Sequence, residues 1–256
     1  MTPLRAATTA AVVGATAHAL LRRRPPGGEK RWQRSNYRNA SPLLIAGPAV
    51  TVAAAAGSSS LPSAAFVTLA CGGLGLYDDL AGDSHARGLR GHLAALREGR
   101  VTTGMVKLVG LVTVGALTSL LERRRPGEVV VDTLLVAGTA NLVNLFDLRP
   151  GRALKVVVLA GGPLSIRSDA AAASVGAAVA LLPADLAEAA MIGDCGANAL
   201  GASLGWSFAH ALGARGRLVA LTGVVALTLA SERVSFTDVI AGNRWLDAID
   251  GFGRQR

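Results

Sequence analysis

An all-α integral membrane protein, with about nine transmembrane helices, is predicted by the chain's apolar content, the segregation of its charges and the sidedness of its basic residues. Of 256 residues, 51% are hydrophobic and 17% charged. The charges gather between uncharged runs at 6–21, 39–77, 108–121, 133–146, 156–166, 170–184, 195–214 and 218–231. A spanning helix needs roughly 20 mostly apolar residues, about 17 at the least, so the shorter runs must extend into their flanks.

Taken in order, the first run ends at Arg22, Arg23 and Arg24. A triple arginine there favours retention over cleavage despite an Ala-x-Ala pattern, so the run reads as a span entering from outside. Run 39–77 holds two spans, with GSSSLPS (57–63) as the turn between them. The runs at 108–121, 133–146, 156–166, 170–184, 195–214 and 218–231 supply one span each. The tail from 234 to 256 carries Trp245, Leu246, Ile249 and Phe252 among charges. That pattern suits an interfacial amphipathic helix, with Asp247 and Asp250 on its wet face. Residues 1–256 form a single polytopic domain without internal repeats.

With the first span running inward, 19 of the 26 Lys and Arg fall in inner segments. The N-terminus is therefore expected outside and the C-terminus in the cytoplasm, in a multi-pass protein of the cell inner (plasma) membrane. The outer loop ERRRPGE (122–128) dissents. The net charge of +9 is explained by anionic headgroups at the inner surface and calls for no nucleic acid. Cys71 and Cys195 fit no metal or disulfide spacing and read as small apolar fillers.

Thirteen of the 17 acidic residues lie in inner segments. Four of them stand out at the ends of apolar runs: Asp78 and Asp79 after the third span, Asp147 after the fifth and Asp194 before the eighth. Carboxylates at membrane depth are costly and tend to be paired or functional. Glu98 and Glu188 read instead as solvated loop charges. Carboxylate clusters without matching His or Cys suit a hard cation, Mg²⁺ or Mn²⁺, that bridges to substrate phosphates. Arg38, Arg87, Arg90, Lys107, Arg149, Arg152 and Lys155 are available to neutralise phosphate oxygens. Gly193 and Gly196 around Asp194 would let the backbone approach a diphosphate. Asn141 and Asn144 add amide ligands on the helix that ends at Asp147.

Two families bear comparison. The stretch DLAGDSHAR (79–87) is similar to the signature of the CDP-alcohol phosphotransferases, but Gly82 and Asp83 stand in reversed order and the later Gly and Asp residues are missing. The chain more closely resembles the polyprenyl-phosphate N-acetylhexosamine-1-phosphate transferases, which include phospho-MurNAc-pentapeptide translocase and the UDP-GlcNAc–undecaprenyl-phosphate transferases. YDDL (77–80) is similar to their Asp-Asp pair, and RGL (87–89) to the Gly-Leu that follows it. NLVNLFDL (141–148) resembles their NxxNxxDG, and MIGDCGANALGASLG (191–205) their MGDxGSLxLGG. NYRNASP (36–42) resembles the polar inner loop before their second span.

The resemblance, spanning roughly residues 30–210, implies attack of a polyprenyl (undecaprenyl or decaprenyl) phosphate on the β-phosphate of a UDP-sugar. UMP would be released at the cytoplasmic face, in cell-envelope glycan synthesis of a bacterial type. On that reading Asp194 binds the metal. Asn144 and Asp147, with Asn141, complete the site around nucleotide and diphosphate. Asp78 and Asp79 serve the lipid-phosphate side, Asp79 also assisting the metal, and Arg38, Arg87, Lys107, Arg149, Arg152 and Lys155 bind substrate. A homodimer is compatible with it.

The chain also departs from the family. Leu148 stands for the Gly, Pro150 for a further Asp, and Ala197 and Asn198 for Ser and Leu, while the late His-rich loop is absent. The alternative is a non-catalytic relative that binds polyprenyl phosphate or an envelope-assembly partner. A transporter would place charges near mid-span, and here they sit at helix ends.

Overall fold

A computed structural model describes residues 1–82 and 88–254, without the side chains of residues 88–90, 92 and 93. Twelve α-helices are present among these residues, and no strands. They are α1 (Pro3–Arg23), α2 (Ala46–Gly57), α3 (Pro62–Ala81), α4 (Gly88–Arg97), α5 (Thr103–Leu121), α6 (Pro126–Phe146), α7 (Arg152–Leu164), α8 (Asp169–Leu186), α9 (Gly193–Ala211), α10 (Ala214–Ser231), α11 (Phe236–Ala241) and α12 (Arg244–Gly251). Each apolar run of the sequence has become a helix, and the 57–63 turn falls between α2 and α3 as expected.

Local chemistry sets the helix starts. Thr2, Thr102 and Ser168 accept from the backbone N–H three residues on, at 3.4, 3.2 and 3.2 Å. Pro3, Pro62 and Pro126 occupy first-turn positions, where a missing N–H costs nothing. Among the described residues, six helices are long and apolar enough to cross a membrane: α1, α3, α5, α6, α8 and α10. The protein is thus an all-α membrane protein.

Helix α9 is not among the six, for a physical reason. It runs up the centre of the bundle against α2, α3, α6 and α7. All but four of its 19 residues are buried, including Asn198, Ser203 and Ser207. A helix screened from lipid by its neighbours need not be uniformly apolar, and small residues let the backbones close in. A Cβ on Gly201 would lie 2.6 Å from the Thr139 carbonyl oxygen of α6. Peripheral α10 buries only Val224. On the far side, α1, α2 and α8 pack on one another.

Charged groups collect at the two ends of the bundle. At one end, Arg124 meets Asp132 at 3.5 Å and Glu122 at 3.8 Å. Arg217 meets Glu128 at 2.9 Å and Asp132 at 3.2 Å. His210 sits 2.8 Å from Glu122. Burial works against the Glu122 carboxylate, but the hydrogen bond from His210 and the contacts of Ser63 and Trp206 outweigh it and hold its pKa below the ordinary value. Of the ERRRPGE loop's three arginines, Arg124 is neutralised here by Asp132 and Glu122. The opposite end carries the acidic residues singled out above.

Candidate functional site

The site is organised by the N-terminus of α9. Helix starts leave backbone N–H groups without partners inside the helix, and here carboxylates from three other helices take them. Asp79, at the end of α3, accepts from Asp194 N at 3.0 Å and from Cys195 N at 2.9 Å. Asp147, the residue after α6, accepts from Gly193 N. Asp185, in the last turn of α8, accepts from Ile192 N and also from Gly151 N, the latter at 2.6 Å. Such bonds contribute about 0.5–1.5 kcal/mol each, and more where the acceptor is charged, a form that the positive end of the helix dipole favours.

Gly193 earns its place through geometry different from the expected approach to a diphosphate. Its φ is +55°, and a Cβ there would fall 2.9 Å from both Asp79 carboxylate oxygens. Only glycine fits beside that cap.

The remaining two carboxylates face another group. Asp78 and Asp194 lie within hydrogen-bonding reach of each other, and Lys107 of α5 reaches both. Its Nζ is 2.7 Å from Asp78 Oδ2 and pairs closely with Asp194 Oδ2. Thr103 also hydrogen-bonds Asp78. Arg34 donates to the backbone carbonyl of Asp79, leaving that carboxylate to the helix. Asp78 and Asp194 thus share one ammonium, next to the three carboxylates that cap α9. Asp147 feels the result: burial pushes its pKa well above the usual carboxylate range, and Asp185, Asp194 and Asp79 push it the same way.

Among the described residues, no three His, Cys, Asp or Glu side chains form a metal-ligating group. A site for Mg²⁺ needs less than that, since this ion keeps several waters and uses one or two carboxylates plus substrate phosphate. Asp78 and Asp194 are such a pair of hard donors, with a cation already between them. Asn198 is fully buried, and neither of its amide atoms has a partner. It lies one turn beyond Asp194 on the same helix face, and helical side chains lean toward the N-terminus. The pair of hard donors at Asp78 and Asp194 fits the ion.

Beside the carboxylates lies a cavity of about 240 Å³ lined by Asn36, Tyr37, Asp147, Arg149, Asp185 and Glu188, among others. The 33–43 loop forms one wall, held by Met191 N donating to Leu43 O at 2.9 Å. Arg149 stacks on the Tyr37 ring at 3.8 Å and is the cavity's cation. Arg38 reaches the neighbouring Glu188 at 3.2 Å. Glu188, expected as a solvated charge, is instead only 13% exposed in its side chain and also accepts from Asn36. Glu98 is exposed, as expected. Asn141 and Asn144 are half-buried on the last turns of α6, leading to Asp147.

Arg152 and Lys155 go elsewhere. Arg152 forms a bidentate pair with Asp250, at 2.8 and 3.0 Å, and donates to Thr237 at 3.0 Å. Lys155 donates to the carbonyls of Ile249, Asp250 and Phe252 at 3.1, 2.6 and 2.7 Å. Both hold the C-terminal segment instead of facing the carboxylates. Asp250 is accordingly buried, not on the wet face, while Asp247 is exposed. Trp245, Ile249 and Phe252 turn outward on α12 and just beyond it, as an interfacial helix requires. Arg87, with Asp83 and His85, lies outside the described residues.

The tail contacts carry a prediction. Burial alone would raise the Asp250 pKa, but Arg152 and Arg254 outweigh it and hold it low. A depressed carboxyl pKa contributes stability above its unfolded value of about 3.9 and loses it as pH falls through the folded value. Docking is thus at full strength at neutral pH and fails only in acid below about pH 4. Arg152→Ala removes one partner of a buried pair, at a cost of about 3 kcal/mol, near the low end because Arg254 remains. Trypsin should then cut at Arg244 much faster in the variant at neutral pH, with the helical bundle intact.

Arg34 and Asp185 are site residues that the sequence does not single out, Glu188 reads there only as a solvated charge, and Asn36 and Tyr37 enter only as part of NYRNASP (36–42). Asp185 had a signal, since it abuts the 170–184 run just as Asp147 abuts 133–146. The partners of Arg34 and Glu188 lie 45 and 150 residues or more away along the chain, beyond any local pattern. Compared with known proteins, the chain matches no family model and no curated protein, so its chemistry must be read from its own residues.

Proposed function

We propose that the protein transfers a sugar-1-phosphate from a UDP-sugar to a polyprenyl phosphate at the cytoplasmic face of the inner membrane, as a divergent member of the polyprenyl-phosphate N-acetylhexosamine-1-phosphate transferases. The observation that carries the reading is the convergence of Asp78, Asp79, Asp147, Asp185 and Asp194 at one end of an apolar helix bundle. Those residues include every acidic position of the three motifs that resemble the family. In this reading all nine apolar helices cross the membrane, with the N-terminus outside.

In the reaction an oxygen of the lipid phosphate attacks the β-phosphorus of the donor. The bond from that phosphorus to the bridging oxygen breaks, and UMP leaves with the oxygen. A phosphate monoester has its second pKa near 6, so at neutral pH the attacking group is already largely a dianion and needs little help from a base. Alignment and charge neutralisation are what the protein must supply. Asp78 and Asp194 are the residues to hold Mg²⁺, which when bound neutralises diphosphate charge. Arg149 and Arg38 stand beside the cavity at Asp147 to meet further phosphate charge, and Lys107 stands at the metal pair. The acceptor-rich walls of the cavity, Asp147, Asp185 and Glu188, suit the hydroxyl and N–H donors of a sugar or base.

One observation favours a second reading. Arg152 and Lys155 are tied to the tail, which thins the cationic set for a diphosphate. A non-catalytic relative that retains the fold to bind polyprenyl phosphate would tolerate that loss. The test is UMP release by purified protein given Mg²⁺, undecaprenyl phosphate and a panel of UDP-sugars. Lipid-dependent UMP from one donor is the expected outcome. Folded protein that releases none across the panel refutes the transferase.

A further inference from the structure

We propose that Lys107 is an exchangeable cation: its ammonium fills the position between Asp78 and Asp194 that a divalent ion takes, so metal binding and the Lys107 ion pairs exclude one another. This rests on the reading of Asp78 and Asp194 as the metal pair. It makes the resting pair partly neutralised by the protein's own lysine and turns metal loading into an exchange.

Three features carry it. The first is geometric. Asp78 from α3 and Asp194 from α9 turn their carboxylates to a single Nζ on α5 and lie within hydrogen-bonding reach of each other. An ion coordinated at about 2.0–2.1 Å by such oxygens leaves no room for an ammonium on the same lone pairs, and the two positive charges repel. The second is electrostatic. Two carboxylates, Asp78 and Asp194, face the single charge of Lys107, so a divalent ion balances a pair that one ammonium only half neutralises. The third is mechanical. Lysine carries its charge on a flexible four-carbon stem. The side chains of Lys107, Asp78 and Asp194 are 13%, 16% and 27% exposed, so an ion can enter and the ammonium can swing out. Once released, Lys107 is the cation nearest the metal pair and meets an incoming phosphate. Metal arrival and phosphate capture are thereby coupled through one side chain.

The test is Mn²⁺ binding to the full chain in detergent, followed by the loss of the free-ion electron paramagnetic resonance signal, with no sugar nucleotide or lipid present. Lys107→Met should bind Mn²⁺ about ten-fold more tightly than the wild type, and adding Asp194→Asn should abolish the gain. Equal or weaker binding by a folded Lys107→Met overturns the exchange. Should that variant not fold, the wild type answers alone through acetylation of Lys107 by an activated ester, read by mass spectrometry. Mn²⁺ should raise the rate several-fold at Lys107 and leave Lys155 unchanged. A rate that stays level or falls overturns the proposal. Neither readout involves turnover, so a failed UMP assay removes the transferase reading and leaves the exchange to be judged separately.

Discussion

Asp79→Ala is expected to lower the melting temperature of the detergent-solubilised protein by about 10 °C, in addition to abolishing activity. Its carboxylate accepts from two backbone N–H groups at the α9 N-terminus, at 3.0 and 2.9 Å. Truncation leaves both buried and unpartnered, at about 1–3 kcal/mol each. In a chain of this size each kcal/mol moves the midpoint by about 2–4 °C. Because α9 is the central helix, the loss reaches α2, α3, α6 and α7 together. Asp79→Asn should fall between, since one oxygen still accepts while the new amide group opposes an N–H. Differential scanning fluorimetry reads the series. A melting temperature unchanged in Asp79→Ala would contradict the capping role.

Asp194→Asn should behave in the opposite way, losing UMP release by about 10²–10³-fold with the melting temperature nearly unchanged. Its backbone N–H is what Asp79 caps, and that is untouched by the substitution. Its carboxylate faces Lys107, and the amide retains an oxygen to accept from it. What disappears is the negative charge on the pair that would hold the metal. Stability and activity therefore separate at two residues bound to one another. A variant that kept full turnover would remove Asp194 from the site.

Much of this arrangement is legible from residue order. Uncharged runs and a Gly-Ser-Pro turn place the helices because lipid and backbone hydrogen bonding leave few other solutions. The gathering of Asp78, Asp79, Asp147 and Asp194 follows from alternating helix direction, which returns those ends to one side. The partition among them is not legible. Asp79 and Asp147 cap α9, whereas Asp78 and Asp194 hold Lys107, and that division depends on side-chain directions across α3, α5, α6 and α9. Arg152 and Lys155 look like phosphate ligands because they follow Asp147 closely. Their partners come from the tail, in pairs separated by 98 and 95 residues. Asp250 reads as wet for the same reason, since nothing near it reveals Arg152. Helix α9 is the converse case. Its Asn198, Ser203 and Ser207 lower its apolarity, yet it is the most enclosed helix because other helices cover it.

The most direct measurement follows a donor labelled with ³²P in its β-phosphate, using whichever UDP-sugar releases UMP. In a sugar-1-phosphate transfer the β-phosphorus moves with the sugar, so the label should pass into the organic phase with the polyprenyl lipid, dependent on Mg²⁺ and Asp194. Label that stays in water while UMP is released would contradict the account, because the donor would then be hydrolysed and not transferred.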